Sequence, residues 1–313
     1  MQLHTLGWTL RLLLIVLLLE YVLGVSATAQ SCGTKQVAVQ VLGSGGPDLR
    51  DKRASSSYLV WQGGKALVLV DVGGGSAVRF GESGAEISQL EVVLLTHLHA
   101  DHTSDLPALA LSSRFDGRSR SLPVFGPPAG DTFPSTTEFV SDLFATSRGA
   151  WRYLSGIVEG GHPYELKPDD VGAGDSPVEV FRTNAMAIAA VRTDHGIAPA
   201  LSWRVTIEGK RIVFSGDTAG QSEGLHRLAE NADLLVAHNA TSRFSDQATK
   251  SILMPPSVIG QIAADARVRR LVLSHRMAET LGRKHEEQTR EDVRQRFSGP
   301  LEFANDLDCF VLR

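Results

Sequence analysis

Four side chains that commonly bind metal ions lie within six residues of one another: His97, His99, Asp101 and His102. The aliphatic run Val92 to Leu95, which reads as a buried strand, precedes them directly. Side chains two positions apart in an extended segment point the same way, so the first two histidines can bind one cation. The aspartate and the third histidine then turn toward a second cation. A plain solvated loop explains the segment poorly, because imidazoles this close repel unless a cation or hydrogen bonds compensate.

Two cations need more ligands than this segment offers, since each takes about four to six. Three further residues follow hydrophobic runs that read as strands: His195, Asp217 and His275. Each alone is a common loop residue, but the repeated placement just past a strand predicts that all three join the metal site. The chain has two cysteines, Cys32 and Cys309, which form no zinc knuckle and no C-x-x-C pair. The sequence leaves two possibilities for these cysteines: a disulfide formed in an oxidising compartment, or two free thiols.

The hydrophobic pattern alternates between groups of strands and groups of helices, which predicts two similar halves packed sheet against sheet with helices outside. Strands are expected in the first half at Val37 to Leu42, Ser57 to Trp61, Ala66 to Val70 and Val92 to Leu95. Those of the second half are Val178 to Arg182, Ile188 to Val191, Ala200 to Ile207, Arg211 to Ser215, Leu234 to Ala237, Arg270 to Ser274 and a closing pair within Leu301 to Leu312. Helices are expected at Asp105 to Leu111, Thr136 to Ala145, Ser222 to Glu230, Pro256 to Ala264 and Glu286 to Arg296. Gly209 marks a tight hairpin turn, and the Gly-, Pro- and Ser-rich stretch Asp116 to Asp175 is expected to supply loops that shape substrate access.

A glycine cluster, Gly43-Ser44-Gly45-Gly46, follows the first strand. Pro47 and charged residues follow it where a dinucleotide-binding loop would begin a helix, so a Rossmann site is rejected. We expect instead a turn that lets the backbone approach the metal centre. Asp71, at the end of the third strand, is either a carboxylate that hydrogen bonds to a ligating imidazole or a plain strand cap.

The motif His97-x-His99-x-Asp101-His102, with His195, Asp217 and His275 after it, resembles the metallo-β-lactamase superfamily from about Val37 to Leu312. The resemblance implies an α/β fold, the αββα sandwich, in which two β-sheets are flanked by helices. It also implies that one cation is bound by His97, His99 and His195. A second cation would be bound by Asp101, His102 and His275, with Asp217 bridging the two.

Within this superfamily the segments 41–47, 56–60, 70–73, 215–218 and 232–235 resemble the ribonuclease Z branch. True β-lactamases carry a serine or cysteine in the place of Asp217, so an aspartate there favours phosphodiester-type chemistry. Ribonuclease Z has His-Glu-Ala-Thr where this chain has His238-Asn239-Ala240-Thr241. His238 is therefore a candidate catalytic proton donor, weakened by the amide beside it, and Asp101 is a candidate for orienting the hydroxide.

The first 29 residues have the pattern of a secretory signal peptide: Arg11, then the apolar run Leu12 to Leu19, then Ala27-Thr28-Ala29. The run is shorter than the ~20 residues of a membrane span, so residues 30–313 are expected as an exported, periplasmic or secreted domain with no stable membrane span. A retained membrane anchor is the alternative. The oligomeric state has no marker in the sequence.

The expected function is that of an exported, binuclear hydrolase, most closely a phosphodiesterase of small molecules. The alternatives are an arylsulfatase, lactonase or other ester hydrolase on the same centre, and a metal-binding protein without turnover. Zinc is the default ion, with iron and manganese also suited to histidine and carboxylate ligands. Nucleic acid is not expected as a partner, because the net charge of -4 comes from intermixed charges without a basic stripe. The chain also shows no long basic insertion like the arm that holds transfer RNA, and export would separate it from that substrate.

Overall fold

Two seven-stranded sheets form the framework of the computed structural model, which describes residues 32–34 and 36–313. The strands of the first sheet are β1 (Ala38–Gly43), β2 (Ser57–Gln62), β3 (Lys65–Val70), β4 (Val92–Leu94), β5 (Leu122–Gly126), β6 (Leu166–Asp170) and β14 (Cys309–Val311). Those of the second sheet are β7 (Val178–Arg182), β8 (Met186–Thr193), β9 (Ala200–Ile207), β10 (Lys210–Phe214), β11 (Leu234–His238), β12 (Leu271–Ser274) and β13 (Leu301–Phe303). Their spatial orders are β14-β1-β2-β3-β4-β5-β6 and β13-β12-β11-β10-β9-β8-β7.

The two sheets share one pairing plan. In each sheet, four neighbouring strands pair antiparallel: β14-β1-β2-β3 in the first and β7-β8-β9-β10 in the second. Three more strands then join in parallel, which are β4, β5 and β6 in the first sheet and β11, β12 and β13 in the second. The predicted similarity of the two halves is therefore confirmed at the level of strand pairing.

Helices cover the outer faces of the sheets. The helices of the first half are α1 (Ser76–Glu82), α2 (Ala100–Thr103), α3 (Leu106–Ser112), α4 (Thr136–Phe144) and α5 (Gly156–Glu159). Those of the second half are α6 (Glu223–Leu228), α7 (Gln247–Lys250), α8 (Pro256–Asp265) and α9 (Arg283–Arg294). Short 3-10 helices lie at Leu49–Asp51, Ile87–Gln89, Arg152–Leu154 and Ala278–Thr280. None of the helices in the described ranges has the length and apolar character that a membrane crossing requires.

Alternating side chains along each central strand divide the interior into three apolar clusters. On β2, Tyr58 and Val60 point into the cluster between the sheets, whereas Leu59 and Trp61 point outward against the helices of the first half. The second sheet alternates in the same way, with Val213 packed beneath α6, α8 and α9. Strands covered on both faces read as continuous apolar runs, which explains why the sequence pattern located them well. The predicted αββα sandwich is confirmed.

The prediction that residues 116–175 supply mainly loops is partly wrong. It holds α4 as predicted, but it also contains β5 and the edge strand β6, whose sequence Leu-Lys-Pro-Asp-Asp is mostly solvent-facing. An edge strand with a proline and acidic residues has no apolar alternation to detect. The expected closing pair also separates, because β13 joins the second sheet and β14 crosses to the first. The hairpin turn is as predicted, with Glu208 and Gly209 both at positive φ between β9 and β10.

Cys32 and Cys309 form a disulfide, with their Cα atoms 5.7 Å apart. This bond ties the segment before β1 to the three-residue edge strand β14. Of the two possibilities left open by the sequence, the structure selects the paired form. The proposed signal peptide, residues 1–29, lies outside the described residues.

Replacing both cysteines, Cys32→Ser with Cys309→Ser, should lower the free energy of unfolding by about 2–4 kcal/mol, because a crosslink across nearly the whole chain restricts the unfolded state. Denaturant unfolding followed by circular dichroism measures the change. Reductant should destabilise the wild-type protein and leave the double variant unaffected. Equal stability of the oxidised wild type and the double variant would contradict the expectation.

Candidate metal centre

The seven predicted ligands lie together at one edge of the sandwich, and each follows the end of a strand. His97 and His99 follow β4, while Asp101 and His102 lie on the short helix α2 that starts at the next residue. The remaining three follow β8, β10 and β12: His195, Asp217 and His275. Loops after strand ends of two packed sheets thus bring together residues up to 178 positions apart in the sequence, which a local pattern could only suggest.

Three imidazoles form the first group. The Nε2 atom of His97 lies 2.9 Å from Nδ1 of His99, and Nε2 of His195 lies 3.3 Å from the same Nδ1. His97 and His195 are buried, and His99 is partly exposed. His195 is held in place from behind, since its Nδ1 lies 2.9 Å from the carbonyl oxygen of Ile252.

One carboxylate and two imidazoles form the second group. Nε2 of His275 lies 3.2 Å from Oδ2 of Asp101 and 3.2 Å from Nε2 of His102, and the third side of this triangle measures 3.4 Å. Asp217 lies between the two groups. Its Oδ2 is 3.7 Å from Nε2 of His195 and 3.8 Å from Nε2 of His102, and its Oδ1 is 3.4 Å from Nε2 of His275, so the carboxylate reaches both groups.

The donor set fits two divalent cations. Bonds of about 2.0–2.1 Å to tetrahedral zinc place neighbouring ligand atoms roughly 3.3 Å apart, which is close to the spacing within both groups. Imidazole nitrogens at these distances would direct lone pairs or hydrogens at one another unless a cation lay between them. His97, His99 and His195 would hold one ion, Asp101, His102 and His275 the other, and Asp217 both.

The electrostatics of the buried centre favour ionised carboxylates and attract positive charge. Burial, together with the neighbouring His102, holds the pKa of His97 well below its usual value, so this imidazole is neutral. Burial acts to raise the pKa of Asp217, but the surrounding histidines, His275 first, outweigh it and hold that pKa well below its usual value. Burial acts to lower the pKa of His102, but the carboxylates of Asp71 and Asp101 prevail and raise it. The centre therefore combines ionised carboxylates with a strong attraction for positive charge.

Asp71 supports the centre from behind. Its Oδ2 lies 2.8 Å from Nδ1 of His102 and accepts a hydrogen bond from the Thr96 hydroxyl, while its Oδ1 accepts from the Thr96 backbone N–H. Asp71 is fully buried at a positive φ of 57°. Of the two roles considered for Asp71, these contacts match a carboxylate that orients a ligating imidazole rather than a plain strand cap. They leave Nε2 of His102 directed into the site.

The glycine cluster brings backbone against the second group, as the sequence analysis expected. A Cβ atom on Gly46 would lie 2.6 Å from Cε1 of His275, so only glycine fits beside this ring. The segment after His275 pairs with the same turn, since the N–H of Arg276 donates to the carbonyl oxygen of Ser44 over 2.7 Å.

His238 lies at the end of β11, but its surroundings differ from those the sequence suggested. Its Nδ1 lies 2.7 Å from Oδ1 of Asp217, and its Nε2 lies 3.0 Å from the Tyr58 hydroxyl. The side-chain amide of Asn239 points elsewhere and donates to the Thr241 carbonyl oxygen. Sequence reasoning missed Tyr58, because on β2 it reads as one more buried residue of an alternating strand.

Replacing Asp71 by asparagine should weaken binding of the second cation by about 10- to 100-fold, since the amide cannot orient His102 as the carboxylate does. Asparagine tolerates the positive φ, so the backbone should be retained. Chelator competition with elemental analysis measures the two affinities, with Asp116→Asn, a partly exposed aspartate, as the control. Two ions bound as tightly as in the wild type would show that Asp71 is a simple cap.

Comparisons with known proteins agree with this geometry. The family model of the metallo-beta-lactamase superfamily matches residues 50–259. Ribonuclease Z of Mycobacterium avium (strain 104) is 31% identical over 285 residues, covering 87% of this chain and 96% of that protein. Two solved structures share the fold with a TM-score of 0.67 each: the metallo-beta-lactamase fold protein YhfI from Bacillus subtilis, at 21% identity, and the short form of human tRNase Z, at 20% identity. Both alignments cover 88% of this chain and 99% of the other. The chain belongs to the metallo-beta-lactamase superfamily and is a ribonuclease Z-like, metal-dependent hydrolase.

Proposed function

We propose that this protein hydrolyses phosphodiesters of small molecules with two divalent cations, zinc by default, bound by the seven residues described above. The observation that carries the proposal is the position of Asp217, whose carboxylate reaches both groups of ligands. Two cations held by these residues would supply a means to activate water and to neutralise charge on the reacting oxygens.

Asp101 is the side chain best placed to orient the attacking water. Its Oδ2 is directed at His102 and His275, and its side chain is 11% exposed, so the carboxylate borders both the ligands and the solvent-accessible side of the centre. An ionised carboxylate there can accept a hydrogen bond from the nucleophilic water and align it with the substrate.

An apolar wall lies next to the first group of ligands. The ring of Phe133 stands 5.4 Å from the ring of His99. The loop that carries Phe133 packs against the loop after His195, since a Cβ on Gly130 would lie 2.6 Å from Cγ of Pro199. The second loop lines a pocket of about 380 Å³ together with Pro128, Val171 and Ala173. A substrate with an apolar or aromatic group suits this wall.

Two alternatives to phosphodiesters of small molecules have different support. Arylsulfatase, lactonase or other ester hydrolysis would use the same cations on a different electrophile. RNA is the substrate that the name of the mycobacterial relative suggests. We favour small molecules over RNA because the charge of the chain is balanced and slightly acidic, whereas phosphate chains are bound by clustered positive charge.

Replacing Asp217 by alanine should reduce bound metal and turnover together, because it removes the one carboxylate that faces both groups. We expect the loss of at least one metal equivalent and a fall in kcat/KM of at least about 100-fold. Elemental analysis and hydrolysis of a chromogenic aryl phosphodiester measure the two effects. Asp142→Ala, on the outer helix α4, should change neither. An Asp217→Ala variant with full activity would refute the bridging role.

The same assay, extended to sulfate esters, lactones and a short RNA, compares the alternatives directly. Phosphodiester hydrolysis with the highest kcat/KM supports the proposal, and a higher value for another class replaces phosphodiesters with that class. Metal-loaded protein that hydrolyses none of them would favour a metal-binding protein without turnover.

Export is a separate proposal, supported by two features. Within residues 1–29 the basic residue Arg11 precedes an apolar run and an Ala-Thr-Ala segment, and the folded domain carries a disulfide. Disulfides persist mainly in oxidising compartments outside the cytosol. We propose that the chain is cleaved after Ala29 and acts in the periplasm or the medium.

Expression of the full-length chain in a bacterial host should give a soluble periplasmic or secreted product that begins at Gln30. Intact-mass and N-terminal analysis of each cell fraction identifies the product. A full-length chain recovered in the membrane fraction would contradict cleavage and favour a retained anchor.

A further inference from the structure

A buried arginine directly follows the ligand His275. The side chain of Arg276 is 1% exposed, and its Cζ lies 4.9 Å from the ring centroid of Phe303 on β13. Its Nη2 donates to a carboxylate oxygen of Glu286, on helix α9, and lies 3.5 Å from the carbonyl oxygen of Thr280. Arg276 therefore ties the end of β12 to the neighbouring strand and to a helix of the second half.

Burial of this arginine is unfavourable for stability by itself. A guanidinium carries five N–H donors and keeps its charge in proteins. Among the residues that the structure describes, Nε of Arg276 is buried and has no hydrogen-bond partner. A buried charge with incomplete hydrogen bonds stabilises a fold less than an apolar side chain of similar size would. A native structure that keeps such a group needs a reason other than stability.

The backbone at the neighbouring ligand supplies that reason. His275 has a positive φ of 54°, a conformation that few residues other than glycine adopt. Such a conformation persists only where the surroundings hold it. Before it, the N–H of Asn239 donates to the carbonyl oxygen of Ser274 over 2.8 Å. After it, the N–H of Arg276 donates to the carbonyl oxygen of Ser44 over 2.7 Å, so the position of Arg276 limits how far His275 can relax.

The same backbone pairing determines where the imidazole lies. Gly45 and Arg276 form a bridge between the glycine turn and the segment after β12. The backbone at Gly46 then lies against the His275 ring, since a Cβ there would be 2.6 Å from Cε1. Nε2 of His275 lies 3.2 Å from Nε2 of His102. A shift of Arg276 relative to the turn would therefore move the ring away from the other ligands.

We propose that Arg276 is a positioning residue that holds His275 in place for the second cation. Glu286 and Phe303 fix the guanidinium, and the guanidinium fixes the backbone of His275 in its left-handed conformation. Because it is buried, Arg276 acts through His275 and not on the substrate. The inference rests on the two cations of the proposed function and does not depend on which ester is hydrolysed.

Three substitutions separate positioning from folding. Arg276→Met keeps an unbranched apolar side chain in the buried space but removes the charge and the hydrogen bonds. Arg276→Lys keeps the charge without the planar fork of donors. Arg290→Met is the matched control, since Arg290 is exposed on α9 and its Cζ also lies over the Phe303 ring, 5.1 Å from the centroid.

The affinity for the second cation is the first readout. We expect Arg276→Met to bind the second zinc ion about 10- to 100-fold more weakly than the wild type, and Arg276→Lys to lose less. The first zinc ion should be bound as tightly as in the wild type in all three variants, and Arg290→Met should bind both ions normally. Chelator competition with elemental analysis measures the two affinities. Wild-type affinity for both ions in Arg276→Met would overturn the positioning role.

The thermal stability of the metal-free protein distinguishes positioning from a merely structural role. Glu286 is 34% exposed, so its carboxylate keeps access to water when its partner is removed. Because an apolar side chain then replaces a buried charge, metal-free Arg276→Met should melt at or above the temperature of the metal-free wild type. A variant that melts well below the wild type and loses both ions would show a structural role alone and would overturn the inference.

Crystal structures of the metal-free wild type and of metal-free Arg276→Met show the ligand directly. We expect the φ of His275 to stay near 54° in the wild type and to leave the positive region in the variant, with the ring displaced from His102. An unchanged ring in the variant would overturn the positioning role even if the second ion were bound more weakly.

Failure of the inference and failure of the proposed function give different results. A wild type that binds two ions, together with an Arg276→Met variant that binds them equally well, would overturn the inference alone. A wild type that binds a single ion would overturn the two-cation centre. The crystal structures would then still decide whether Arg276 holds His275 in place.

Discussion

The site depends on the attraction between cations and ligand atoms whose lone pairs converge in a buried space. The Nε2 atoms of His97 and His195 lie 2.9 and 3.3 Å from Nδ1 of His99, so lone pairs that converge there repel one another unless a proton or a cation lies between them. Asp101 and Asp217 add negative charge in the same low-dielectric region, which is costly without positive charge nearby. Divalent cations held by these groups would relieve that cost and would supply the means to activate water, so the fold at this edge and the proposed chemistry depend on the same interaction.

The sandwich makes this convergence possible because its two halves are built alike. Each sheet directs the ends of neighbouring strands toward one edge, and the loops that follow those ends carry the ligands. Rigid supports then limit how far the ligands can move. Asp71 orients His102, the carbonyl oxygen of Ile252 orients His195, and the backbone at Gly46 lies against the ring of His275. Ligands held this way lose little entropy when a cation binds.

Polar contacts within the apolar interior link the sheets to the site. The cluster between the sheets is aliphatic and aromatic, yet Tyr58 carries a hydroxyl through it to His238 and Ser274. Such a network is stable only when every member is satisfied, so a change at any one residue affects the others. This coupling makes the position of the Asp217 carboxylate depend on a side chain of the opposite sheet.

The sequence by itself predicted the residues that lie together at the candidate metal centre, the fold class and most of the secondary structure. Residues 97–102 form a dense local motif. Buried strands such as β2 and β9 can be recognised by their apolar composition, because both of their faces are covered. It did not determine β6, which is exposed at a sheet edge, or the separation of β13 from β14, which depends on where the chain crosses between sheets. The sequence also did not predict the hydrogen-bond partners of His238. Sequence reasoning considers the neighbouring residue at position 239, whereas the observed partner Tyr58 is 180 residues away. Which residues can bind a cation is a property of their chemistry and spacing, but which hydrogen bonds hold them is decided by the packing of one sheet on the other.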